Sequence, residues 1–172
     1  LNLLGTGLHA AEEFEEMLGV LKAEASAAAR YGQTNTQYLL ATLANLATCY
    51  QKLGRTAEAL EMSRDVYAKA LRAFGPTNEF TLHAAGNVAE HLINNRNVGE
   101  ARRFIKPRIP LCEDAFGPNG EELLKMRYRY ATTLFDDPAR SVDDLTEALL
   151  ILEDVAPRFR RVFGISHPLS GK

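Results

Sequence analysis

The sequence predicts an all-α protein, an α-solenoid of antiparallel helix pairs with about seven helices. Three observations predict it. Two nearly identical stretches, AFGPTNE from Ala73 and AFGPNGE from Ala115, recur at an offset of 42. Apolar residues on either side of them recur at helical spacing, and no segment alternates apolar and polar residues long enough to make a strand. Self-similarity at such a period marks stacked repeat architectures, in which each unit buries its apolar face only against its neighbours.

The repeat extends beyond the glycines. NLATCY (Asn45–Tyr50) aligns with NVAEHL (Asn87–Leu92) and then RYATTL (Arg129–Leu134). AEALEM (Ala57–Met62) aligns with GEARRF (Gly99–Phe104) and, after a longer step of 47, with TEALLI (Thr146–Ile151). The longer step places five extra residues within DDPARSVDD (Asp136–Asp144), a loop extension. Helices are predicted near 9–30, 36–53, 56–74, 79–95, 98–116, 121–136 and 141–163. The first of a pair carries Leu39, Leu40, Leu43, Leu46, Ala47 and Tyr50, with Asn35 or Thr36 as N-cap and Gly54 as the stop. The second carries Ala59, Leu60, Val66, Ala70, Leu71 and Phe74 and stops at Gly75. Small residues recur at Ala47, Ala89 and Ala131 and at Ala59, Ala101 and Ala148, where two helices can approach closely. Arg96 replaces the glycine expected between the helices of the next pair. Pro107, Pro110 and Pro157 predict kinks or breaks, because each removes a backbone donor and crowds the preceding turn.

The residue pattern of NLATCYQKLGRTAEALEMSRDVYAKALRAFGPTNEFTL resembles a tetratricopeptide repeat of the 42-residue kinesin light-chain type. The terminal FGISHPLS is similar to that family's inter-repeat junction. The resemblance runs from Thr34 to Lys172 and is strongest from Ala41 to Leu82. It implies a right-handed superhelix divided into a degenerate half-repeat (1–33), three repeats (34–75, 76–117 and, with the insertion, 118–164), and a tail or start of a further repeat (165–172). In the first segment EEFEEMLGVL echoes DDLTEALLIL at an offset of 131, with Met17 at the alanine position.

Composition bounds the function. Hydrophobic residues make up 46% and charged residues 24%, as in soluble globular domains, and the net charge of −2 argues against nucleic-acid binding. The basic stretches ARRFIKPR, KMRYR and RFRR are interleaved with acids and read as solvated helix faces. Two cysteines far apart, Cys49 and Cys112, form no disulfide or zinc pattern and imply a reducing, intracellular setting, cytoplasmic by default. No apolar run is long enough to span a membrane. The absence of an initiator Met leaves an organellar, processed form open, and a chain that begins inside one repeat and stops at the junction to another reads as a slice of a longer array. The glycine turns lack the lysine and preceding strand of a phosphate loop, and His83 and His91, eight apart, are not the i, i+4 pair that shares a metal. Nothing selects a catalytic set, so the expectation is a non-enzyme without a cofactor.

What remains is a groove. The resemblance implies that first helices line a concave surface that binds a peptide or partner protein. Its ligand-facing residues would be Asn45, Thr48 and Gln51 in one repeat, His83, Asn87 and Glu90 in the next, and Lys125, Tyr128 and Arg129 in the last. Asn45, Asn87 and Arg129 share one repeat position, and Lys125 and Arg129 share a helix face suited to a carboxylate. Chaperone adaptors of the wider family hold C-terminal carboxylates at positions like Asn87, Lys125 and Arg129, whereas Ala44 and Thr48 lack the matching side chains, so half of that clamp is present. The ligand expected is a partially acidic segment. The alternative is a structural scaffold that cements a larger complex through its convex face or ends, with the proline helices and the DDPARSVDD insertion as contacts.

Overall fold

The computed structural model describes residues 2–30 and 36–163. Contacts divide the chain into one unit ending at Phe74 and another beginning at Gly75. The first holds α1 (Asn2–Arg30), α2 (Thr36–Lys52) and α3 (Thr56–Phe74). The second holds α4 (Glu79–Asn94), α5 (Val98–Ile105), a 3₁₀ turn (Lys106–Arg108), α6 (Ile109–Phe116), α7 (Glu121–Asp136) and α8 (Val142–Phe163). Among the described residues there is no strand, and no helix is long and apolar enough to cross a membrane. Six of the seven predicted helices begin and end within one residue of the predicted positions, counting α5 to α6 as one. The exception is α1, which begins at Asn2 rather than near residue 9. Gly5 and Gly7 each cost about 1 kcal/mol of helix propensity, a preference that the rest of the helix overrides. The expected cap at Asn35 lies outside the described residues.

Several backbone bonds at the joints between helices recur from one repeat to the next. Arg55 N donates to Tyr50 O at 2.9 Å, and one repeat later Asn97 N donates to Leu92 O at 2.9 Å. Leu82 N donates to Asn78 O at 3.0 Å, and Leu124 N to Gly120 O at 3.0 Å. Gly54 has φ 74°, and Arg96, at the matching position, is forced to φ 58°. Gly117 combines φ 72° with ψ 174°, a region that a side chain makes nearly inaccessible. Asn78 caps α4 by accepting a hydrogen bond from Phe80 N. Gly120 offers α7 no such cap, and a Cβ there would fall 2.4 Å from Phe116 Cβ.

The prolines act unequally. At Pro107 and Pro110 the helix breaks into a 3₁₀ turn, and the Arg108 guanidinium donates to Phe104 O across the break. Two prolines three residues apart remove donors from one and the same turn, which an α-helix cannot absorb. Pro157 is alone, and α8 remains helical through it, so the break expected there is absent.

Within the first unit α1 packs on α2 and α2 on α3, around Leu18, Leu46, Cys49, Tyr50 and Ala59. Within the second, α7 packs on α4, α5, α6 and α8, and Leu124, Val155 and Phe159 form one cluster of its core. Burying each such large side chain is worth roughly 1.5–3 kcal/mol. All six repeated alanines are buried, as close helix approach requires. The offset of 131 assigned to α1 is corrected by one residue. Met17 is 47% exposed, whereas Leu18 is 3% exposed and joins Phe14 and Leu21 at i, i+4, i+7 spacing.

Candidate functional site

Helices α4 and α7 lie side by side, and residues one turn apart on each shape a hollow between them. Glu90, Ile93 and Asn94 of α4 face Lys125, Tyr128, Arg129 and Thr132 of α7 around a volume of about 360 Å³. Ile93 and Asn94 also border a second hollow of about 600 Å³ with Arg96, Val98, Gly99, Asp136, Asp137 and Pro138. The two hollows share Ile93 and Asn94, and the trough read from this pair is bordered at one end by Asp136, Asp137 and Pro138 of the insertion.

A charge network underlies this trough. Glu122, on the first turn of α7, is only 7% exposed, and its carboxylate lies between His83 Nδ1 at 3.1 Å and Arg129 Nη1 at 3.3 Å. Gly86 makes room for it, since a Cβ there would stand 2.1 Å from Glu122 Oε1. Arg129 is 15% exposed and donates from its other nitrogen, Nη2, to Glu90 Oε2 at 2.8 Å. The hydrogen bond to Glu122 raises the His83 pKa above its ordinary value of 6.5, more than burial lowers it. The His83 ring also meets Phe116 edge-on, with centroids 5.2 Å apart. Lys125 is paired with Glu121 one turn before it. Tyr128 presents its ring edge-on to Phe159, at 6.5 Å between centroids.

Of the residues the sequence put forward, Glu90, Lys125, Tyr128 and Arg129 come together around the hollow. His83 stands beside it through Glu122, and Asn87 is half-buried on α4 without lining it. Asn45 and Thr48 are exposed on α2 in the first unit, and the Thr48 hydroxyl donates to Ala44 O at 3.1 Å. Gln51 is half-buried, with its side-chain oxygen shielded and unpartnered. Sequence reasoning missed Ile93 and Glu122. A signal for Glu122 existed, because the matching positions of the two preceding repeats hold the aromatic residues Phe80 and Tyr38.

The insertion is fastened. Arg102 of α5 reaches Asp144 Oδ1 at 3.1 Å, Asp137 Oδ2 at 3.3 Å and Thr133 O at 3.2 Å. Ser141 and Asp144 form a reciprocal capping box, with Ser141 N donating to Asp144 Oδ2 at 2.8 Å and Asp144 N donating to Ser141 Oγ at 3.1 Å. The Ser141 backbone and hydroxyl bonds hold the Asp144 pKa below its ordinary 3.8.

Other reactive groups are quiet. Both cysteines are buried free thiols, and burial pushes Cys112 up to about 12. Among the described residues no three or more His, Cys, Asp or Glu group to hold a metal ion. The basic stretches are largely spent internally: Arg127 meets Asp154 at 2.6 Å, and Arg158 meets Asp154 at 2.7 Å and Pro118 O at 2.9 Å.

The best-repeated part of the chain, residues 39–78, matches the sequence model of the tetratricopeptide repeat. Solved structures extend the likeness in fold. A kinesin light chain-like protein of Podosopora anserina with nearly identical TPR-like repeats superposes at a TM-score of 0.71 and 18% identity, over 96% of this chain and 77% of that one. A single-substitution variant of it gives 0.73 and 17%, with the same coverage. BtubC (BKLC) of P. vanneervenii gives 0.67 and 15%, over 94% of this chain and 61% of that one. None of the curated proteins matches the chain in sequence. The helix pairs described above share the fold of these solved structures.

Proposed function

We propose that the protein is a non-enzymatic interaction module that holds a peptide or partner-protein segment in the trough between α4 and α7. The observation that carries this reading is the pair of hollows joined at Ile93 and Asn94. Together they offer apolar surface at Ile93, Tyr128 and Val98, the Asn94 amide for main-chain bonding, and charged side chains around them. Asn45, Thr48 and Gln51 on α2 serve the same role in the first unit, and Asn87 and His83 extend the α4 face.

Lys125 and Arg129 give the trough its preference for a segment with some acidic character. Both are already paired within α4 and α7, so recognition of a carboxylate is an exchange of partners and not a neutralisation of bare cations. Selection from a displayed peptide library, followed by titration of the selected peptides, tests this. Arg129→Ala and Lys125→Ala should weaken acidic peptides. Unchanged affinity in both variants overturns the acidic preference, and selected peptides that ignore substitution of Ile93 and Asn94 overturn the trough.

A scaffold role has its own support in α8, where Val142, Leu145 and Leu149 are exposed at i, i+3, i+7 spacing. Such a stripe suits the flank of a neighbouring helix in an assembly. A chain that stays monomeric in sedimentation and co-purifies with no other protein would count against it.

A further inference from the structure

Resting on the trough reading above, we propose that Glu90 is a built-in stand-in for the ligand's carboxylate, occupying Arg129 until an acidic segment displaces it. Arg129 is held at two points that differ in kind. Its Nη1 nitrogen faces Glu122, a 7% exposed carboxylate lodged against Gly86 and also held by His83. That contact fixes the guanidinium in place, because withdrawing Glu122 would leave a charge unpaired in a closed space. Nη2 faces Glu90, whose side chain is 53% exposed on the rim of the 360 Å³ hollow. An ion pair with one partner that open to water adds little stability and exchanges readily. The guanidinium therefore arrives pre-oriented by one carboxylate and offers its second edge to whichever carboxylate competes best there.

The consequence is a threshold. A ligand must bring a carboxylate and further contacts in the hollow to outcompete Glu90, which is already tethered to α4. Isolated anions would be rejected, and an acidic side chain embedded in a fitting segment accepted.

Two fluorescein-labelled pools of random octapeptides test this, identical except that one carries a fixed Glu where the other carries Gln. Against the wild-type chain the Glu pool should bind more tightly than the Gln pool. Glu90→Ala should tighten the Glu pool about three- to five-fold and leave the Gln pool unchanged. Asp136→Ala, which removes a nearby exposed charge without touching Arg129, should change the Glu pool by less than about two-fold, which separates occupancy from general repulsion. In an Arg129→Lys background, which keeps a cation for Glu122 but cannot span both carboxylates, Glu90→Ala should lose its effect. Equal gains from Glu90→Ala and Asp136→Ala, or no gain from Glu90→Ala while Arg129 is still required, overturn the stand-in and leave the trough reading intact. Failure of both pools to bind either the wild type or Glu90→Ala overturns both.

Discussion

Gly86 of α4 and Glu122 of α7 meet so closely that no other residue fits at position 86 without moving the carboxylate, since a Cβ there would stand 2.1 Å from Glu122 Oε1. The clash falls on the mobile end of a side chain, so Gly86→Ala should leave the backbone in place and turn Glu122 away from His83 and Arg129. The hydrogen bonds lost to these charged partners cost about 2 kcal/mol. Replacing a mid-helix glycine with alanine returns about 1 kcal/mol. The net expectation is a loss of about 1 kcal/mol in urea unfolding. In a Glu122→Ala background the clash is gone, and the same substitution should stabilise by about 1 kcal/mol. Equal effects in both backgrounds would show that the pair is not coupled.

His83 makes the same network sensitive to pH. Its pKa in the folded protein is raised, chiefly by the bond to Glu122, with Glu79 adding to the rise and Lys125 opposing it. A group whose folded pKa exceeds its unfolded value stabilises fully below the unfolded value, here about 6.5. That contribution is lost as the pH rises through the folded pKa. The melting temperature of the wild type should therefore exceed that of His83→Gln most at acidic pH, and the gap should close as the pH rises through the raised folded pKa. A gap that stays constant from pH 5.5 to 8.5 would show that the imidazole contributes packing alone.

The helix ends and the repeated alanines were legible because they depend on local chemistry: a glycine or proline stop, an asparagine cap, a small residue at one position of each repeat. The network around Glu122 was not. Its parts lie at residues 83, 86, 90, 122 and 129, and only the packing of α4 on α7 brings them together. The sequence draws attention to Glu121 and Lys125, which pair along one exposed face, while the neighbouring Glu122 points inward. The phase of α1 departs from the repeat alignment for a related reason. Matching Met17 to an alanine followed letters in register, whereas burial followed the larger stripe of Phe14, Leu18 and Leu21. Pro157 shows the limit of a residue rule, since one missing donor is tolerated where two close together are not.

The insertion should depend on its capping box. Ser141 supplies the N-cap of α8, and replacing it with alanine removes both bonds of its hydroxyl to Asp144 while its backbone N–H keeps the bond to the carboxylate. Ser141→Ala should destabilise by about 1 kcal/mol near neutral pH. Because the Asp144 pKa is depressed, its contribution is present above its unfolded value of 3.8 and lost as the pH falls through the folded one. The difference between wild type and variant should accordingly shrink in acid, as read by thermal unfolding at pH 3 and pH 7. An undiminished difference at pH 3 would assign the effect to the serine hydroxyl without the aspartate.

Arg96 offers a gain of stability where the other substitutions bring losses. It stands at the repeat position that Gly54 holds in the preceding unit, and the surrounding backbone bonds are the same: Gly54 N to Gln51 O at 3.1 Å, and Arg96 N to Ile93 O at 2.8 Å. The turn thus demands a positive φ at this position whichever residue occupies it, and Arg96 complies at 58°. For a residue with a Cβ, that conformation costs about 1–2 kcal/mol. Arg96→Gly removes this strain but gives the unfolded chain more freedom, which offsets part of the gain. The balance should be a stabilisation of about 0.5–1 kcal/mol, with Arg96→Asn intermediate because asparagine tolerates the left-handed region. Arg96 also borders the larger hollow, so the glycine variant separates two roles. If it unfolds at higher urea and binds peptide as before, the arginine is a tolerated misfit in the turn. If stability rises while binding falls, the strain is retained for the side chain it places at the end of the trough.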